Sequence, residues 1–382
     1  MVMEIENLIS VFPMNHPKES LLTDNGITLM PSLCEVTEEL NGDYSLIMNH
    51  PIDKFGQWKY LLPFSIIKIK SSNQLFRIYR MQTTMSADGS KQRTVYARHI
   101  WYDWNDKVVK YANIDNLVAH DYIAAILDNN NLYDDTQEGY YTDKFYRYNW
   151  HSDITRRTTT IVQDVSVASA IIGNSNSVIA RCGGELHRDN FWFSLYNRKE
   201  NSTDNAFSIR YGVDMIDIQE NIDYSTWFSR LYAKDNFGQT YVFSYAPTDA
   251  IPHNFTKVVK FNYQVRDINQ LLADGQAYFD KYYIPTGSYK VTFANLQDTE
   301  LYKDFFELQN CNVGDTGTIK NEVLGIDTTE KVVKKVTDAI RNRTKSIQLK
   351  SLSRSLVSHN AFDNVIAKSP SITDGLFTYK ED

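Results

Sequence analysis

Only three cysteines occur in 382 residues, Cys34, Cys182 and Cys311. They lie far apart and form no CxxC pair, which excludes a disulfide framework and a cysteine zinc site and reads as reduced thiols in a cytosolic fold. No apolar run approaches the roughly 18 residues needed to span a bilayer. The best candidate, Val165 to Ile172, is broken by Ser166 and Ser169, so no stable membrane insertion is expected. Glu4 and Glu6 stand where a secretion signal carries Lys or Arg ahead of an apolar core, so no export signal is expected either. A basic excess is also missing: 40 Lys and Arg against 47 Asp and Glu give a net charge of -7. That balance disfavours a high-affinity nucleic-acid binder, while allowing a surface past which DNA slides without sticking.

Recognisable chemistry is absent in the same way. There is no HExxH, no Walker A loop (Asp88-Gly89-Ser90-Lys91 lacks the upstream glycine) and no GxSxG elbow, since Gly173-Asn174-Ser175-Asn176-Ser177 has only the first glycine. His151-Ser152-Asp153 holds triad residue types, but adjacency along a chain does not create relay geometry. The acidic segment from Asp128 to Asp143, with Asp134, Asp135 and Glu138, puts Phe145 where an EF-hand needs a bidentate Glu, and reads as a solvated loop. The eight histidines show no ligand spacing. No catalytic, cofactor-binding or metal-binding residue is therefore nominated, and no cofactor.

What the chain does have is aromatic side chains: 25 Tyr, 19 Phe and 6 Trp. These favour half-buried pleated surfaces and large contact areas. Trp58, Trp101, Trp104, Trp150, Trp192 and Trp227 are candidates for stacking on sugars, with strand and interface packing as the plainer alternative. The length gives a soft prior of two to three domains. Short β-branched or aromatic runs at Ile27–Met30, Ser45–Met48, Ser65–Lys70, Leu75–Met81 and Thr94–Ala97 are separated by turn residues at Asn41-Gly42-Asp43 and Ala87-Asp88-Gly89. Runs such as Ile66, Ile67 and Ile69 do not alternate cleanly, which suggests strands touched on both faces of a small barrel or split barrel.

Leu117, Val118, Tyr122, Ala125 and Ile126 then recur at helical spacing, with Asp115 or Asn116 as N-cap and Asn129-Asn130-Asn131 as stop. A short helix over Val165 to Ile172 and a hairpin turning at Arg188-Asp189-Asn190 follow. Strands are expected at Phe207–Ile218, Phe228–Ala233, Thr240–Ser244 and Tyr289–Phe293. An amphipathic helix should bury Ile268, Leu271, Leu272, Phe279 and Tyr282, with Pro285 as its stop. Gly314-Asp315 and Gly317 punctuate a further hairpin. Asp327 and Glu330 form an Asp-led capping box ahead of Val332, Val333, Val336 and Ile340 on one helical face, and Ile347 and Leu349 alternate as a last strand. Lys331, Lys334, Lys335, Arg341, Arg343, Lys345 and Lys350 give this stretch a basic face, solvated or meeting an acidic partner.

The fold class read from this pattern is α+β and β-rich, multidomain, with two small β-barrel-like domains plus α/β insertions. The boundaries are 1–104 for the first barrel-like domain, 105–205 for an α+β domain, 206–265 with 308–352 for the second barrel-like domain, 266–307 for a helix-strand insertion, and 353–382 for a C-terminal tail.

Several blocks carry a resemblance. Glu38-Glu39-Leu40-Asn41-Gly42-Asp43-Tyr44-Ser45-Leu46, Leu75-Phe76-Arg77-Ile78-Tyr79-Arg80 and Val95 to Asp103 resemble the N-terminal region of tail hub proteins of long-tailed phages, the prophage endopeptidase tail or tail-associated lysin family. Gly184 to Phe191, Ile209-Arg210-Tyr211-Gly212, Ser229-Arg230-Leu231-Tyr232, Val313 to Thr316, Leu324-Gly325-Ile326 and Ile347-Gln348-Leu349 resemble it too, in order over residues 20–352. The resemblance implies a baseplate-hub-like homotrimer at the virion tail tip, assembled in the host cytoplasm. It also implies docking on a hexameric distal tail protein, with tape measure and receptor-binding proteins as further partners, and closure of the channel until DNA passes through. Relatives often extend into a wall peptidase or glycosidase. Here about thirty residues follow the matching blocks, so a structural protein without lytic activity is expected, with a wall-degrading enzyme or a carbohydrate-binding adhesin as alternatives. An acidic lumen that repels phosphates would suit the net charge.

Overall fold

The computed structural model describes residues 9–17, 20–127, 150–199, 202–211, 215–225, 227–244, 254–263, 265–282, 286–293 and 311–351. Contacts divide the chain into two units. The first is Met1–Thr203 with Phe306–Asp315 and Val332–Ile347; the second is Asp204–Phe305 with Thr316–Lys331 and Gln348–Asp382.

The first unit opens with β1 (Ile9–Phe12), β2 (Ile27–Leu29), β3 (Leu33–Glu39), β4 (Tyr44–Pro51), β5 (Ile66–Ile69), β6 (Gln74–Met85) and β7 (Lys91–His99). They lie in the order β2-β1-β5-β6-β7-β4-β3, and residues 334–338 of a late strand pair antiparallel with β3. Strand periodicity sorts the side chains. On β4, Tyr44, Leu46, Met48 and His50 are buried, while Ser45, Ile47 and Asn49 face the other way. Inward residues from along the sheet, among them Ile9, Leu46, Met48, Ile67, Phe76 and Val95, form one core. Ile66 and Leu75 turn to a second core, so β5 and the start of β6 are buried on both faces, as the lack of clean alternation suggested. Among the described residues the two ends of this strand path are not paired with each other, and the sheet is not a closed barrel.

The second core is built by a 3-10 turn (Ile100–Asp106), β8 (Val108–Val118), α1 (Ala119–Leu127), β9 (Trp150–Ser152), β10 (Arg157–Ser166), α2 (Val167–Ile171), α3 (Val178–Cys182), β11 (Glu185–Asp189) and β12 (Trp192–Tyr196). The helix expected from Leu117 with Asp115 or Asn116 as cap starts later, at Ala119. Residues 108–118 pair instead with the Thr-rich β10, where β-branched side chains fit a pleated surface, and Asn116 takes φ 53° at the irregularity. The helix expected from Val165 starts at Val167 because Val165 and Ser166 still pair with β8; Ser166 Oγ then caps it, accepting from Ser169 N at 3.1 Å. The expected hairpin forms between β11 and β12. Asn129–Asn131 and the acidic segment fall outside the described residues.

The second unit contains β13 (Phe207–Arg210), β14 (Met215–Asp223), β15 (Arg230–Asp235), β16 (Thr240–Ser244), β17 (Thr256–Phe261), α4 (Ile268–Tyr282), β18 (Thr286–Phe293), β19 (Thr316–Asn321) and the first half of β20 (Ile326–Asp338), whose second half is the late strand on β3; β21 (Arg343–Ser351) closes the series. Helix α4 spans the range its apolar spacing predicts. It packs Leu271 and Phe279 on Leu231, Ala233 and Phe243. Gly275 is needed there, because a Cβ would overlap the Phe243 ring.

Two expectations fail here. The single strand over Phe207–Ile218 is two, because β13 pairs parallel with β19 and β14 antiparallel with β18. The helix expected over Val332–Ile340 is strand β20. Its Thr328, Thr329, Val332, Val333, Val336 and Thr337 are stiff β-branched residues, and Ile326, Thr328, Glu330 and Val332 alternate inward with period two. Asp327 caps nothing and faces Lys320 at 3.5 Å. The last strand, β21, is longer than the alternation at Ile347 and Leu349 required. The final segment, 353–382, lies outside the described residues.

Candidate functional site

The blocks that stood out in the first part of the sequence meet around one side chain in the first unit. Arg188 on β11 is 5% exposed. Its Nη1 donates to the Gly42 carbonyl at 2.7 Å and to Tyr102 Oη at 2.9 Å, and its Nη2 donates to the Glu39 carbonyl at 2.9 Å. Tyr102 Oη also donates to the Gly42 carbonyl, at 2.7 Å. The rings of Tyr44, Trp101 and Tyr102 surround the guanidinium with centroids 5.3, 5.9 and 5.7 Å away. A planar cation with five donors matches this cage of carbonyls and π faces in a way an ammonium does not.

Asparagines close the same seam on both sides. Asn41, at φ 53°, donates through Nδ2 to the Gly184 carbonyl and accepts through Oδ1 from Leu186 N, each at 2.7 Å. Asn190, at φ 52°, accepts from Leu75 N at 2.9 Å and donates to the Asn73 carbonyl at 2.9 Å. Asn tolerates left-handed backbone while its amide satisfies neighbouring backbone groups. The Gly184–Phe191 block is thus a clasp joining the β11–β12 hairpin to the turn after β3 and to the start of β6.

Burial sets the protonation of the groups beside the clasp. His99 is fully buried: Nδ1 accepts from Trp101 N at 3.3 Å and Nε2 faces Gln74 Oε1 at 2.9 Å. Desolvation, then the nearby Arg188 charge, holds its pKa well below the ordinary value, so the ring is neutral. Burial pushes the Tyr44 and Tyr102 phenols up. Burial would also raise the Glu38 carboxyl, but Lys199, hydrogen-bonded at 2.8 Å, with Arg188 and Lys335, overrides it and keeps the group below its usual range.

A cleft of about 350 Å³ opens beside the clasp, lined in part by Glu38, Tyr44, His187, Arg188, Lys199 and Lys335. Its cations are engaged: Lys199 with Glu38, Lys335 Nζ with the Cys311 carbonyl at 2.7 Å, and Arg188 as above. The arrangement stabilises a seam between elements.

The other residues read from the sequence are placed plainly. In His151-Ser152-Asp153 the three side chains go separate ways. His151 lies against Tyr196, Ser152 Oγ accepts from Ile154 N at 3.3 Å, and Asp153 accepts from Asn197 N at 2.7 Å. The basic stretch is a strand hairpin and not a helix face: Lys334 pairs with Glu39 at 2.6 Å, Lys345 with Glu35, and Arg341 with Asp338 at 2.9 Å. Of the six tryptophans, Trp101 and Trp104 are buried, Trp58, Trp150 and Trp227 are half-buried, and Trp192 is 56% exposed. The three cysteines are buried and none is within a disulfide among the described residues. Among the described residues no group of His, Cys, Asp and Glu could hold a metal ion, and no helix is long and apolar enough to cross a membrane. The sequence marks Asn41 as a turn residue and Arg188 and Asn190 as part of a hairpin turn, but carries no signal of their clasping contacts, whose partners lie up to 149 residues away along the chain.

The family model described as prophage endopeptidase tail matches residues 202–360. No curated protein is found similar to the chain. Among solved structures, the chain is similar to prophage tail protein gp18 from Listeria monocytogenes, with 13% identity, TM-score 0.60, and 94% of this chain and 99% of the other covered. It is similar to a tail protein from Neisseria meningitidis, with 10% identity, TM-score 0.59 and coverage of 90% and 96%. It is also similar to the 43 kDa tail protein of prophage MuSo2 from Shewanella oneidensis, with 11% identity, TM-score 0.60 and coverage of 90% and 98%. The resemblance read from the sequence blocks therefore stands, in sequence over residues 202–360 and in fold over nearly the whole chain: this is a β-rich, multi-sheet fold of the phage tail protein type.

Proposed function

We propose that this chain is a structural hub of a phage tail tip, present as three copies around the tail axis, docked on a hexameric distal tail protein and closing the channel until DNA leaves. The observation that carries this reading is the likeness to three tail proteins over almost their entire lengths. The use of conspicuous charged residues as internal fasteners supports a structural role: Arg188, Lys199, Lys334 and Lys345 hold strands and turns together. Tape measure and receptor-binding proteins are the further partners of such a hub, with DNA passing without specific binding. Light scattering of the full chain, alone and with the distal tail hexamer of the same phage, tests the reading. A trimer in either condition is expected; a monomer indifferent to the hexamer would refute it.

A second reading, a wall-carbohydrate adhesin, draws on the exposed Trp192 ring. Binding of host-wall polysaccharide that is lost in Trp192→Ala would favour it.

A further inference from the structure

The three-stranded sheet of the second unit, in the order β16-β15-β17, has two faces of different chemistry. Along β15 burial alternates with period two. Leu231, Ala233 and Asp235 are buried, the first two in the core that α4 completes, while Arg230, Tyr232 and Lys234 lie on the other face and are half-buried. Both ladders run without a register shift. They set Thr256 beside Arg230, Val258 beside Tyr232, and Thr240 and Lys260 on either side of Lys234. Thr256, Val258 and Lys260 are exposed, Val258 at 54%.

This outer face carries cations and no anion. The single carboxylate of the three strands is Asp235, which turns inward and accepts from Phe237 N at 2.9 Å and Gln239 N at 2.7 Å. Among the described residues the side chains of Arg230, Lys234 and Lys260 make no hydrogen bond or ion pair. In the first unit, by contrast, Lys199, Lys334 and Lys345 are each matched by a glutamate. An unneutralised basic face stands out on a chain whose net charge is -7.

We infer that this face contacts the phosphodiester backbone of duplex DNA, weakly and without regard to sequence. Lysine, arginine, threonine and tyrosine are the side chains that bond phosphate oxygens. Lysine is depleted at the centres of protein–protein interfaces, which disfavours a protein occupant. Arg230 and Lys234 stand four residues apart, about 13 Å along the strand. Duplex DNA presents a charge about every 1.7 Å of its axis, so several phosphates fall within reach of the row. The acidic remainder of the chain repels the same polymer, which keeps the contact loose enough for sliding. The inference rests on the hub reading for the presence of DNA beside the chain.

The test is retention of the full chain on immobilised duplex DNA as salt is raised. Three cations in one engaged face give a slope of log affinity on log salt of about -2.7, roughly a 40-fold loss between about 50 and 200 mM. Lys234→Gln and Lys260→Gln should each reduce that slope by about a third and leave the melting temperature unchanged, since neither side chain belongs to the core. Lys257→Gln removes the same charge from the opposite face, beside Leu231, and should leave the slope as it was. Absence of retention at the lowest salt overturns the inference. So does retention that survives the Lys234 and Lys260 changes together, or that falls equally in Lys257→Gln. Stronger retention on immobilised polyglutamate than on DNA would assign the face to an acidic protein and overturn it too. The hub reading is decided separately by molar mass, and stands or falls whatever the column shows.

Discussion

Arg188 and Tyr102 both donate to the carbonyl oxygen of Gly42, each at 2.7 Å, and are bonded to each other at 2.9 Å. Three segments distant in sequence are thereby tied at one buried point. A buried cation whose direct partners are backbone carbonyls and a phenol is specific to geometry, because no carboxylate follows it if the seam opens.

Replacing Arg188 should therefore be costly in every form. Arg188→Met leaves the Gly42 and Glu39 carbonyls short of donors and is expected to destabilise the first unit by about 3 kcal/mol. Arg188→Lys should recover less than half of that, since an ammonium cannot serve three acceptors in this plane. Denaturant titration followed by tryptophan fluorescence reads the effect, as Trp101 borders the cage.

Gly184 and Asn41 form the second fastening. Gly184 has φ 101°, and a Cβ there would overlap Ile154 Cδ1 and crowd the Tyr196 carbonyl. Gly184→Ala should destabilise by about 2–3 kcal/mol, and Asn41→Ala by about 2 kcal/mol through an unsatisfied Leu186 N–H and Gly184 carbonyl. Their effects should not add, because the two residues share one contact; a double-mutant cycle in urea checks this.

A carboxyl buried in the second unit gives a pH signature. Glu330 is 1% exposed, takes one hydrogen bond from Thr328 at 2.7 Å, and its Oε2 has no partner among the described residues. Burial raises its pKa from 4.5 to about 7, with the Thr328 bond acting the other way. The folded state then holds the proton more tightly than the unfolded state. The favourable contribution is complete below about pH 4.5 and is lost as pH rises through about 7. Glu330→Gln should remove that decline and raise stability at pH 8 by on the order of 2 kcal/mol, measured by thermal melts across pH.

His99 acts with the opposite sign in the first unit. Its pKa is held well below 6.5, so the unfolded chain binds the proton first and stability falls as pH drops through 6.5. His99→Gln should flatten the acid limb of the first unit's melting profile while lowering stability at neutral pH through lost stacking on Tyr44, 4.4 Å away.

How much of this was legible follows from range. Helix α4 was readable because Ile268, Leu271, Leu272 and Phe279 carry the helical period within one window, and its sheet partners merely accept that face. The double burial of β5 was readable from Ile66, Ile67 and Ile69 in one short run. Strand β20 was misread because Val332, Val333, Val336 and Ile340 satisfy helical spacing by coincidence. Their β-branching and the acidic partners Glu35, Glu38 and Glu39, some 295 residues upstream for the Lys334–Glu39 bond, decide for a strand. Strands β1 and β3 were missed since three apolar residues around Ser10 in one case, and a stretch interrupted by Glu35, Glu38 and Glu39 in the other, announce no period. The clasp was invisible for the same reason as β20. Arg188 and Asn41 become meaningful only once Gly184 and Gly42 are brought together, and a single sequence holds no trace of that approach.

The central claim is that the chain works as shared surface at a tail tip. Quantitative mass spectrometry of purified phage particles, with isotope-labelled peptide standards for this chain and for the distal tail protein, tests it most directly. The account predicts the chain in every tail at half the amount of the distal tail protein, three copies to six. Its absence from the particles, or a ratio that does not fit a threefold ring on a sixfold one, would contradict the account.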